Sequence, residues 1–107
     1  MRHNIKYHPD VEKDKKKIGH SRWQIVLKAI EKVAENPVPK NEGGYGEPLG
    51  NKHGYNLTGL LKIKLLKLGI RIVYKVIREG NVMKIIVVAA RADEEVYGLA
   101  ARQVELD

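Results

Sequence analysis

The stretch LLKIKLLKLGIRIVYKVIREGNVMKIIVVA, from Leu60 to Ala89, decides the fold of this chain. It holds three apolar runs rich in branched residues, which are Leu60–Leu66, Ile70–Ile77 and Val82–Ala89. Runs of this composition are typical of strands. The residues between them, Lys67-Leu68-Gly69 and Arg78-Glu79-Gly80-Asn81, are of turn type. Because these connections are short, the pattern predicts an antiparallel meander.

A strand and a helix are predicted at the start of the chain. The segment Arg2 to Tyr7 is short and has no helical face, which favours a strand. Pro9 suits the first position of a helix, and Asp10 suits the positive end of its dipole. The sequence therefore predicts a first helix that ends near Ile18-Gly19.

A second helix should follow at once. Ser21 with Gln24 three residues later is the pattern of a capping box. Apolar residues then recur at spacings of three and four, at Trp23, Val26, Leu27, Ile30, Val33 and Ala34. This spacing predicts one apolar stripe that packs on the sheet, with Trp23 in the core. Asn36-Pro37 should end the helix.

The segment from Asn36 to Asn56 is rich in proline and glycine, which predicts a long mobile loop. It has no lysine in the pattern of a phosphate-binding loop. Near the other end of the chain, Asp93 can cap a last helix through Val96 and Leu99. The expected fold is therefore α+β, with the first strand and a helical hairpin packed on an antiparallel sheet, followed by a C-terminal helix.

Composition limits the function. With 107 residues the chain should form a single domain over residues 1–107, and its net charge of +7 with a pI near 9.7 favours an acidic partner. It has no cysteine, which fits a cytoplasmic protein and excludes disulfides and thiolate-zinc sites. Four histidines in separate elements argue against zinc. The longest apolar run, Ile85 to Ala90, is too short to span a bilayer, so no membrane partner is expected.

The meander region carries a concentrated positive charge. Between Leu60 and Arg78 there is no Asp or Glu, and the basic residues are Lys62, Lys64, Lys67, Arg71, Lys75 and Arg78. Alternate side chains of a strand share a face, so Lys62 and Lys64 should project together, with Arg71 in reach on the next strand. Such a field suits a polyanion, and it predicts RNA-binding roles for Lys67, Lys75 and Arg78.

The order of these motifs resembles the RelE/ParE superfamily of bacterial toxins, in particular its RelE branch of ribosome-dependent messenger-RNA endonucleases. The resemblance covers nearly the whole chain. It is densest in Leu61-Lys62-Ile63-Lys64-Leu65, Gly69-Ile70-Arg71-Ile72-Val73-Tyr74, Arg91 and Glu95-Val96-Tyr97. It implies a RelE-like fold that works without a cofactor or metal, in the cytoplasm. The partners it implies are the ribosome, messenger RNA and an acidic, RelB-like antitoxin.

On this resemblance the catalytic positions fall on Lys62, Lys64, Arg71, Arg91 and Tyr97. Metal-free cleavage needs a base for the 2′-hydroxyl, positive charge at the phosphorane and an acid for the leaving oxygen. A tyrosine can serve as the base where nearby cations favour its phenolate. The chain is more acidic around Arg91 than the family pattern, with Asp93 and Glu95 close by, so Lys64 is an alternative base.

Each candidate residue also has a structural interpretation. Lys62 and Lys64 can be the solvated side of an edge strand, and Arg71 can pair with Glu79 or Asp93. Tyr97 can be a half-buried core residue of the helix with its hydroxyl at the surface, whereas Tyr74 is assigned to the core. Two other functions remain open: a non-catalytic ParE-type inhibitor of DNA gyrase, or an inactive remnant held by its antitoxin.

Overall fold

The computed structural model describes residues 2–52, 55–90 and 93–106. The strands are β1 (Asn4–Tyr7), β2 (Glu47–Lys52), β3 (Tyr55–Leu65), β4 (Ile70–Ile77) and β5 (Val82–Ala89). The helices are α1 (Val11–Ile18), α2 (His20–Ala34) and α3 (Asp93–Leu106), with a short 3₁₀ turn at Lys40–Glu42. None of the described helices is long and apolar enough to cross a membrane.

The strands form one sheet in the order β1-β5-β4-β3-β2. The pairs β3–β4 and β4–β5 are antiparallel, which confirms the predicted meander. The strand β1 instead joins the edge in parallel with β5, where Asn4 lies opposite Val82. The sheet is therefore antiparallel except at this edge, and the α+β class is confirmed.

The helices α1 and α2 cover one face of the sheet. The stripe residues Trp23, Val26 and Ile30 are buried there against Ile72 and Tyr74, while Leu27 is half-buried at the margin of the same core. Burial of this stripe is the main stabilising contribution of α2, because apolar area removed from water contributes about 25 cal/mol per Å². The predicted stripe and the core position of Trp23 are confirmed.

The predicted capping box at Ser21 is wrong. The helix α2 begins at His20, its N-cap is Gly19, and no side chain caps it. A single residue separates the two helices, and Gly19 makes the turn with a φ of 88°. Ser21 is therefore already inside the helix, because the chain turns too tightly to leave it at the cap.

The prediction of a long loop from Asn36 to Asn56 is also wrong, because part of this segment forms the strand β2. The strand β2 pairs with β3, which begins at Tyr55 and not at Leu60. Gly50 in β2 has a φ of 62°, and Pro48 is tolerated because β2 lies at the edge of the sheet. The preceding turn is held by the buried hydroxyl of Tyr74, which donates to the Pro37 carbonyl oxygen at 2.9 Å.

The helix α3 covers the opposite face of the sheet. Its residues Val96, Tyr97 and Ala100 are buried in a second apolar core with Val73 and Val87. The helix α3 therefore covers the apolar centre of the face opposite α1 and α2. The cations of that face lie around this second core.

Candidate active site

Strand alternation brings three of the predicted cations together. Lys62 and Lys64 lie on the α3 side of β3, as predicted, and Arg71 of β4 is directly opposite Lys64. Ala89 of β5 lies opposite Arg71 on its other side, so Lys64, Arg71 and Ala89 form one row across three strands. Lys62 is half-buried and Lys64 is exposed. The row thus ends at the last residue of β5.

Tyr97 meets this cluster from the first turns of α3. The ammonium of Lys62 donates to the Tyr97 hydroxyl oxygen at 3.4 Å, and the same ammonium lies 6.0 Å from the centre of the ring. Tyr97 is only 1% exposed. Tyr97 is therefore a core residue, buried more deeply than the half-buried position that the structural interpretation expected, and its hydroxyl contacts a predicted catalytic lysine.

Arg71 is fixed locally at the β3–β4 turn. Its Nη1 donates to the Gly69 carbonyl oxygen at 3.3 Å. Glu79, an alternative ion-pair partner in the sequence, lies at the other end of β4, roughly 26 Å away at ~3.3 Å per residue. The strand geometry therefore excludes that pair. The side chain of Asp93, the other alternative, lies outside the described residues, as does the whole of Arg91.

The three predicted RNA-binding residues are dispersed. Lys67 is exposed in the β3–β4 turn, next to Lys64. Lys75 is on the α3 side of β4, about 13 Å from Arg71 along the strand at ~3.3 Å per residue. Arg78 follows β4 and pairs with Glu42 at 2.8 Å. Lys75 is nonetheless a diagonal neighbour of Lys62, because Lys62 lies opposite Val73 and Lys75 is two residues further along β4. Lys67 and Lys75 therefore border the cluster of Lys62, Lys64 and Arg71, whereas Arg78 does not.

The sequence reasoning missed Glu47, an acidic residue of this site. Glu47 of β2 lies directly opposite Lys62 of β3, and its Oε1 accepts from Lys40 at 3.0 Å. That hydrogen bond holds the pKa of Glu47 below its usual value, and the charges of Lys40, Lys62 and Lys64 act in the same direction. Only recognition of β2 as a strand could have revealed this carboxylate.

The arrangement offers charge stabilisation and proton transfer. The Lys62 ammonium contacts the phenol of Tyr97, and strand pairing puts Glu47 opposite Lys62 and Arg71 opposite Lys64, so cations, a phenol and a carboxylate are near one another. Within residues 2–52, 55–90 and 93–106, no group of three or more His, Cys, Asp or Glu side chains could hold a metal ion.

Comparisons with known proteins agree with this geometry. No protein-family model matches the chain. A RelE-like toxin protein of Escherichia coli is 30% identical over 105 residues, which is 97% of this chain and 99% of that protein. This chain belongs to the RelE-like toxin family. The expected RelE resemblance is thereby confirmed.

Solved structures of E. coli RelE support the same assignment. The free state of an arginine-substituted RelE mutant superposes with a TM-score of 0.73 at 26% identity, over 97% of this chain and 99% of that one. The same mutant bound to an antitoxin RelBc peptide gives 0.65 at 28% identity, over 94% and 95%. The isolated RelE toxin gives 0.64 at 25% identity, over 95% and 98%. The RelE-like toxin therefore has the fold of E. coli RelE.

Proposed function

We propose that this RelE-like toxin is a ribosome-dependent endoribonuclease that cuts messenger RNA and thereby inhibits translation. The observation that carries the proposal is the contact between the Lys62 ammonium and the Tyr97 hydroxyl oxygen, at 3.4 Å, beside the cross-strand pair of Lys64 and Arg71. Cations around a proton-transfer group are what RNA cleavage requires when no metal takes part.

The proposed reaction is an internal phosphoryl transfer. A base removes the proton of the 2′-hydroxyl, and the 2′-oxygen attacks the adjacent phosphorus. The bond from phosphorus to the 5′-oxygen breaks, and an acid protonates that oxygen. The products are a 2′,3′-cyclic phosphate and a 5′-hydroxyl end. No metal ion or cofactor enters these steps.

The roles follow from placement. Tyr97 is the proposed base because its hydroxyl lies against the Lys62 ammonium. Lys64 is the alternative base, since it is exposed and lies in the same row as Arg71. Arg71 is the proposed donor to the phosphorane, with Arg91 as a second donor. Because Tyr97 is 1% exposed, its hydroxyl must be uncovered before RNA can reach it.

The proposed partners are the ribosome with its messenger RNA and a RelB-like, acidic antitoxin. The antitoxin is supported by the E. coli RelE mutant, a structural neighbour that is bound to an RelBc peptide. The net charge of +7 is complementary to both acidic classes of partner. These partners place the protein in the cytoplasm.

The test is brief induction of the toxin in cells without antitoxin. Protein synthesis, measured by pulse labelling, should fall before DNA synthesis, and mapped transcripts should show new ends within coding regions. Tyr97→Phe provides the matched control, because it keeps the ring and removes the hydroxyl. An early fall in DNA synthesis with uncut transcripts would favour gyrase inhibition instead. No effect on either synthesis would indicate an inactive remnant.

A further inference from the structure

Among the described residues 2–52, 55–90 and 93–106, no strand pairs with the last part of β5 on its outer edge. The strand β1 pairs with β5 only from Val82 to Ile85, while β5 continues to Ala89. The outward backbone N–H of Val88 therefore has no strand carbonyl to bond. Unpaired backbone groups at such an edge weaken a strand and let its end move.

Asp14 supplies the missing acceptor from α1. Its Oδ2 accepts from the Val88 N–H at 3.0 Å, across 74 positions of sequence, in a part-buried setting. Val88 itself is completely buried. A carboxylate that accepts from a backbone N–H makes a stronger bond than a neutral acceptor does. This hydrogen bond therefore holds the end of β5 against α1.

Packing beside this bond is incomplete. A cavity of about 200 Å³ lies beside it, lined by Asp14, Lys17, Ile18, Val88, Ala89 and Ala90. The cavity leaves space between α1 and the end of the strand. The Asp14 carboxylate spans that space, so its removal would free the strand end to move.

The position of this strand end matters to the candidate active site. Ala89, the residue after Val88, lies directly opposite Arg71, which lies opposite Lys64. The chain then leaves β5 through Ala90 toward Arg91. A shift at Val88 would therefore change where Arg71 stands relative to a bound phosphate.

We propose that Asp14 is a positioning residue of the active site, which holds the end of β5 so that Arg71, opposite Ala89, meets the phosphate correctly. The dependence of cleavage on Asp14 rests on the proposed function. The hydrogen bond by which Asp14 of α1 holds β5 does not depend on that function. Asp14 lies on the α1 side of the sheet, away from the face that carries the cations, so it acts only through β5.

The first experiment tests the hydrogen bond between Asp14 and Val88 without RNA. It measures amide hydrogen exchange residue by residue. Asp14→Ala should speed exchange at Val88 and Ala89, whereas Asp14→Asn should retain protection because its amide oxygen still accepts a hydrogen bond. Glu12→Ala is the matched control, since it removes the same charge from the same helix. Unchanged protection at Val88 in Asp14→Ala would show that Asp14 does not hold the end of β5.

The second experiment measures single-turnover cleavage on programmed ribosomes, together with ribosome binding by pelleting. Asp14→Ala should lose roughly tenfold to a hundredfold in cleavage rate at unchanged binding, because small misplacements of catalytic groups have effects of that size. Asp14→Asn should recover most of that loss, and Glu12→Ala should match wild type. Wild-type cleavage by a folded Asp14→Ala protein would overturn the positioning role. Absence of cleavage by the wild type would instead refute the proposed function. Amide exchange at Val88 would still show whether Asp14 holds the end of β5.

Discussion

The face of the sheet under α1 and α2 and the face under α3 use alternate residues of the same strands, yet they are built differently. The first face is apolar, with Ile72 and Tyr74 buried against Trp23. The second has an apolar centre around Val73, which Lys62 and Arg71 border. The difference shows that neighbouring residues of one strand can serve stability and chemistry separately. Substitutions on the two faces should therefore affect different measurements.

The largest expected effect is on the α3 face, at Tyr97. Tyr97→Phe keeps the buried ring and removes the hydroxyl that Lys62 contacts. Loss of a general base typically lowers a rate by about two to four powers of ten. Single-turnover cleavage should fall by that factor, while ribosome binding in a pelleting assay stays near wild type. Full cleavage by this variant would move the base role to Lys64.

Arg71→Ala should have the next largest effect on the same face. Removal of one well-placed donor to a developing anion costs about 2 to 4 kcal/mol of transition-state stabilisation. Arg71→Lys is the matched control, because it keeps the charge but loses the planar fork, and it should recover only part of the rate. Kinetics at saturating toxin measure this loss, and thermal unfolding checks the fold. An unchanged rate in Arg71→Ala would remove this arginine from the mechanism.

Tyr74→Phe makes the same chemical change on the other face and should have the opposite result. It removes the hydroxyl that donates to the Pro37 carbonyl oxygen, and a buried polar group left unpaired costs about 1 to 3 kcal/mol. The free energy of unfolding in urea should fall by that amount, while cleavage per folded molecule is retained. If cleavage falls as far as in Tyr97→Phe, the two faces do not have separate roles.

Glu47→Gln should have the smallest effect, and that effect should depend on pH. The pKa of Glu47 is lowered in the folded protein, mainly by its hydrogen bond from Lys40, so its carboxylate stabilises the fold above the usual value of 4.5. That contribution is lost as the pH falls through the lowered pKa. Since the Glu47 side chain is 44% exposed, the difference from wild type should stay below about 1 kcal/mol at pH 7.

Urea titrations at pH 7 and near pH 3 measure this dependence, because protonation of Glu47 at the lower pH makes wild type resemble the variant. The difference between the two proteins should shrink toward zero as the pH falls. A constant difference across that range would mean that the Glu47 charge does not act through its neighbouring lysines.

Much of the fold could be predicted because its signals are local. The bounds of β4 and β5 follow from runs of branched residues that end at glycine and asparagine turns, and both were predicted as observed. The strand β2 could not be predicted in this way. Its sequence, Glu47-Pro48-Leu49-Gly50-Asn51-Lys52, has little strand propensity. It is a strand because β3 pairs with it, and that information is distant in sequence.

The same limit applies to the candidate site. Strand alternation alone predicted that Lys62 and Lys64 share a face. It could not predict Glu47, whose position depends on the pairing of β2, or the burial of Tyr97, which depends on which face α3 covers. A helical pattern indicates that a helix has an apolar side, but it does not identify the surface that the helix covers. The catalytic roles themselves stay predictions.

The parallel pairing of β1 with β5 has a consequence for synthesis. Asn4 lies opposite Val82, so the first strand made by the ribosome finds its neighbour only after almost the whole chain has been translated. Pairings this distant in sequence form slowly, because a long loop must close first. The growing chain therefore cannot complete its sheet while most of it is still being made. If the finished protein cuts messenger RNA on ribosomes, the sheet that carries Lys62, Lys64 and Arg71 gains its β1 edge only late in translation.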